Sequence, residues 1–125
     1  MSANPHRGEV VVKLDADYVL RPDFEAVAAI DEQLGSIIDV TRRALADNSL
    51  SFREMSVIIL EGMKAQGRAT GDEQLVGAKL KRVQHLVFEA GILSVIGPVI
   101  QFLANAVIGG AKPEGNAPAA ETAKT

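Results

Sequence analysis

Apolar and polar positions follow strand spacing at the start of the chain and helix spacing after it. Glu9-Val10-Val11-Val12-Lys13-Leu14 is rich in β-branched residues, and Tyr18-Val19-Leu20-Arg21 reads as a second short strand. Asp15-Ala16-Asp17 between them suits a turn. Together they predict a β-hairpin. An isolated hairpin is marginal in water, so this one must pack on helices or pair with another chain.

Pro22-Asp23 marks a helix start, with Pro in the first turn and an acidic group at the positive end. Phe24, Val27, Ile30 and Leu34 give that helix an apolar face, and Gly35 stops it. Ser36 can cap a second helix whose face is Ile37, Ile38, Thr41 and Leu45, ending at Asp47-Asn48-Ser49. Ser51 and Glu54 form a capping-box pattern, with Leu50 and Met55 placed as a hydrophobic staple. Phe52, Met55, Ile59 and Met63 then line one side of a third helix, which Gly67 closes. Thr70 and Glu73 repeat the capping pattern before a fourth helix carrying Val76, Leu80, Val83, Val87 and Ala90. Gly91 breaks it, and residues 92–108 form a fifth, the expected central core helix.

The expectation is therefore a mainly α fold: a two-stranded N-terminal hairpin followed by a bundle of about five short helices. Residues 9–109 make one domain, 1–8 a flexible arm. From 110 the chain turns to Gly, Ala, Pro, Lys, Glu and Thr, which predicts a disordered tail over 110–125.

Composition narrows the function. The 125 residues are 47 % hydrophobic but only 4 % aromatic, so the core must be aliphatic. Cysteine is absent, which excludes disulfides and thiolate zinc sites and suits a reducing cytoplasm. The net charge of −3 and a pI near 5.3 argue against nucleic-acid binding. Lys79, Lys81 and Arg82 give a small positive footprint with no interleaved aromatics, better suited to surface ion pairs or an acidic partner. The uncharged run between Glu89 and Lys112 is long enough to span a bilayer. Ser94, Pro98, Gln101 and Asn105 form a weakly polar stripe on it, so a buried amphipathic helix explains it better.

No catalytic, cofactor or metal constellation is found. His85 and Glu89 share an i,i+4 spacing without a third ligand. Gly62-Met63-Lys64-Ala65-Gln66-Gly67 has the glycines of a P-loop, but Arg68-Ala69 replaces the Lys-Ser/Thr pair, and a helix precedes it where a P-loop follows a strand. No serine lies in a GxSxG elbow. What remains is binding, through the edges of the hairpin or a surplus apolar helix face, including self-association.

Asn4-Pro5-His6-Arg7-Gly8-Glu9-Val10 and Tyr18-Val19-Leu20-Arg21-Pro22-Asp23-Phe24-Glu25-Ala26 resemble the start of the small tail protein family of gene transfer agents, phage-like particles of alphaproteobacteria. Residues 30–35, Leu60-Glu61-Gly62-Met63 and Val87-Phe88-Glu89-Ala90-Gly91-Ile92 agree with that family's helices closed by glycine. Ala16 and Asp23 depart from it, where Gly and Thr or Ser are frequent. The family is described as a tail assembly chaperone, or in some descriptions as a tail tube protein. The resemblance implies a cytoplasmic, non-enzymatic factor that binds the tail-tube and tape-measure proteins during assembly, or else a structural component retained in the particle. A nucleic-acid-binding regulator is a more distant alternative. Arg7, Tyr18, Arg21 and Pro22 lie in the most recognisable stretch. They are candidate partner contacts, or else residues that fix the hairpin-to-helix junction.

Overall fold

A computed structural model describes residues 8–110. Strands β1 (Val10–Lys13) and β2 (Asp17–Leu20) pair antiparallel, with Val10 opposite Leu20 and Val12 opposite Tyr18. Opposed residues share a face, so Val10, Val12 and Leu20 enter the core together. Asp17, expected in the turn, opens β2 instead. It pairs with Lys13 in register, and the two side chains meet at 3.4 Å. The hairpin does not stand alone: β2 packs on helix α3 (Phe52–Thr70) and β1 on helix α6 (Ile96–Val107).

Helix α1 (Phe24–Leu34) is capped by Asp23, whose carboxylate accepts from the Ala26 amide at 2.8 Å. Pro22 therefore stands before the cap, outside the first turn. Ala26 and Ile30 are the buried residues, and Phe24, expected on the apolar face, is exposed. At about 100° per residue, Phe24 lies outside the arc that runs from Ala26 through Ile30 to Val27. Helix α2 (Ile37–Asp47) begins at the Ser36 cap as expected, but buries Ile37, Val40, Thr41 and Ala44. Its face is turned so that Ile38 and Leu45 are exposed, and the small Ala44 lies inside.

Helix α3 begins with the expected capping box, in which Ser51 and Glu54 each satisfy the other's backbone amide. It is the central helix of the domain, buried on every side from Met55 to Met63 and touched by α1, α5, α6, β2 and the short helix α4 (Glu73–Val76). All-round burial identifies a core helix, and this corrects the expectation that residues 92–108 would hold that place. Gly67 does not close α3. The helix continues to Thr70 and ends at Gly71, whose φ of 77° favours glycine. Gly67 is needed for a close approach, because a Cβ there would lie 2.8 Å from both Leu75 Cβ and the Val76 nitrogen.

The expected fourth helix is two helices. Asp72, not Thr70, caps α4, and the Thr70 hydroxyl donates to the Gln66 carbonyl. Gly77 interrupts the pattern, and α5 (Leu80–Ala90) restarts after it, burying Val83, Leu86 and Val87. Beyond Gly91 a single helix is replaced by a 3₁₀ turn (Ile92–Val95) and then α6. Pro98 explains the break. In a helix running from residue 92 it would sit in the interior and lose a hydrogen bond, whereas in the first turn of α6 its missing N–H costs nothing. α6 buries Val99, Phe102, Leu103 and Ala106 on one face. No single helix among the described residues is long and apolar enough to cross a membrane, and α5 and the segment Ile92–Val107 are bent against each other by 105°.

Polar links tie these parts together. Arg68 on α3 meets Asp23 at 3.1 Å and Glu25 at 2.7 Å, holding the start of α1. The Asn105 amide donates to the Gly8 carbonyl at 3.0 Å, joining α6 to the chain start. The arm expected over 1–8, apart from Gly8, and the tail expected over 110–125, apart from Gly110, lie outside the described residues.

Candidate protein-binding surface

The hairpin-to-helix junction is built from an ion pair. The Arg21 guanidinium meets the Glu9 carboxylate at 2.8 Å, with side-chain exposures of 11 % and 5 %. Such a pair is largely removed from water. The Arg21 amide donates to the Gly62 carbonyl of α3 at 3.1 Å, fixing the exit of β2 on the core helix. Pro22 is buried beside Gly8. Tyr18, half-buried nearer the turn, donates its hydroxyl to Asp15 at 2.7 Å. Burial, and then that bond to a carboxylate, push the phenol pKa up. Thus the structure brings Arg21 and Pro22 together at the junction and sets Tyr18 apart, at the hairpin turn. Arg7 lies outside the described residues.

The polar groups weighed for chemistry are placed otherwise. The P-loop-like segment Gly62-Met63-Lys64-Ala65-Gln66-Gly67 is interior helix of α3, with no loop to cradle a phosphate. Ser36 and Ser51 accept from helix amides, while Ser56 and Ser94 donate to nearby backbone carbonyls. Among the described residues no group of three or more His, Asp or Glu could hold a metal ion. Of the cluster Lys79, Lys81 and Arg82, only Arg82 has an ion-pair partner among the described residues, Asp15 in the hairpin turn at 3.6 Å.

Among the described residues, Ile38, Leu45, Val76 and Leu93 are exposed singly or on helix faces, and further exposed apolar side chains border two recesses. At one, Phe24 (82 % exposed) lines a shallow recess with Pro22, Asp23, Val27, Ala106 and Val107, and exposed Ile108 follows Val107 in the chain. At the other, the first turn of α3 and the outer side of α5 enclose a cleft of about 220 Å³ lined by Phe52, Lys81, Gln84, His85 and Phe88. Phe88 is 67 % exposed there. The spacing predicts neither recess: it puts Phe24 on an apolar face that is exposed here, while Phe52 keeps its expected side, half-buried against the core. One signal was available: Phe88 sits next to Val87, off the stripe of fours and threes that α5 buries.

The described residues form a small, mainly helical fold fronted by a two-stranded hairpin. The chain belongs to the family described as phage tail tube protein, GTA-gp10, which matches residues 7–109, and so to a gene transfer agent tail family. A tail tube family is structural rather than catalytic. No curated protein and no solved structure matches the chain.

Proposed function

We propose that the protein is a non-enzymatic assembly factor for a phage-like tail, acting in the cytoplasm of the producing cell. It binds the tail-tube subunit and the tape-measure protein during assembly and then releases them. The observation that carries this reading is the small extent of β-structure: among the described residues there is one hairpin of two four-residue strands. A ring-forming tube subunit needs a broad interface on both sides, repeated around a closed ring. An assembly factor needs only a modest surface that covers a partner and lets go. The two recesses supply surfaces of that size.

Arg7, Tyr18, Arg21 and Pro22 belong to this reading as candidate contacts. The contacts Arg21 and Pro22 make within the chain support the junction role for those two. Co-expression with the tail-tube and tape-measure proteins of the same particle tests the proposal. Capture of either partner by the tagged full chain is the expected result, and capture of neither contradicts it.

A second reading, a structural component kept in the particle, is favoured by the family description as a tail tube protein. Particle composition separates the two.

A further inference from the structure

We infer that the cleft between α3 and α5, walled by Phe52 and Phe88 and edged by Lys81 and His85, docks an acidic amphipathic helix of a tail partner. This rests on the assembly role proposed above and names the chemistry of its partner. The volume of about 220 Å³ is below the ~300 Å³ at which small-molecule pockets begin. It has the scale of inserted side chains. Phe88 stands two-thirds exposed at its wall in a chain with four Phe and one Tyr, while Phe102 is fully buried. Aromatic side chains at the centre of a contact carry a large share of binding energy.

Charge sets the partner's sign. Arg42, Arg43, Arg68 and Arg82 each have a carboxylate partner. Lys81 in the cleft, and exposed Arg53 beside Phe52, have none among the described residues. Of the nearby acids, Glu54 is held by Arg43, and Glu89, one turn beyond His85, does not line the cleft. The cleft therefore presents apolar walls with an uncompensated positive edge, which complements acidic residues flanking an apolar anchor. Both walls are helices, and no strand edge lines the cleft. An extended peptide would find no strand edge to pair with there, whereas a helix satisfies its own backbone and offers anchors at i, i+3 and i+4. Lys81, His85 and Phe88 follow that same spacing along α5.

The test uses the full chain, with the tail-tube and tape-measure proteins of the same particle and 20-residue peptides tiled along both. Acidic peptides should bind and shift the NMR signals of Phe52, Lys81, His85 and Phe88. Phe88→Ala and Lys81→Glu should each weaken binding about tenfold or more, with thermal unfolding unchanged. A peptide with its acids changed to Lys should recover binding to the Lys81→Glu chain. Lys13→Glu, on the hairpin, serves as the control and should bind as the unmodified chain does. Peptides of any charge binding equally, or full-length partners captured undiminished by Phe88→Ala and Lys81→Glu, would overturn the docking inference and leave the assembly role standing. Failure of the unmodified chain to capture either full-length partner would remove both.

Discussion

Leu20 lies so close to Gly62 that a Cβ on the glycine would sit 2.8 Å from Leu20 Cβ and 3.3 Å from Leu20 Cα. The missing side chain on α3 is what lets β2 reach the core helix, where the Arg21 amide bonds the Gly62 carbonyl. Gly62→Ala would gain ~1 kcal/mol of helix propensity but force apart backbone and a fixed Cβ, an overpacking cost of ~1–3 kcal/mol or more. A net loss in stability is expected in urea unfolding. Gly67→Ala should lose at least as much, because its Cβ would meet the Val76 nitrogen and the Asp72 carbonyl.

The Glu9–Arg21 pair predicts a different pattern. Arg21→Ala leaves a buried carboxylate without its guanidinium, a change that typically costs ~3–5 kcal/mol. The double change Glu9→Leu with Arg21→Met should recover much of that loss, since an apolar replacement of both partners can be neutral or better. Equilibrium unfolding of the single and double variants checks it. A small loss in the single variant, with weakened partner capture, would instead favour Arg21 as a contact residue.

Glu54 gives the pH dependence its sign. The hydrogen bond from Arg43 at 2.7 Å, followed by the Ser51 amide, outweighs burial and holds the Glu54 carboxyl below its ordinary range. A carboxyl depressed in the folded state contributes stability that is present above its unfolded value, ~4.3, and is lost as pH falls through the folded value. Arg43 is partly exposed, so solvent screening keeps the pair's contribution small. Unfolding curves from pH 6 to pH 3 should show that loss, and Glu54→Gln should flatten it.

The recess near Phe24 is surface rather than core. Phe24→Ser and Ile108→Ser should leave stability within about 0.5 kcal/mol, as for exposed sites generally. Either change should reduce any self-association seen by sedimentation. A loss of several kcal/mol would mean that these side chains are packed.

The parts legible in the sequence are those written in local chemistry. The β-branched runs, the Ser36, Ser51 and Asp23 caps and the stop at Asn48 each depend on residues within a few positions. What the sequence hid depends on residues distant in the chain. Gly67 looks like a helix end, and only the approach of α4 shows why it is interior. Ile38 and Val40 compete for the face of α2, and the choice belongs to the surface it packs on. The cleft joins Phe52 to Phe88 across two helices, and no local spacing announces that meeting.

Counting this chain in purified particles by quantitative mass spectrometry, against the tail-tube subunit, is the most direct test of the assembly role. A factor that binds and releases should be absent, or present in far fewer copies than the tube subunit. One copy for each tube subunit would contradict the account and make the protein part of the finished tail.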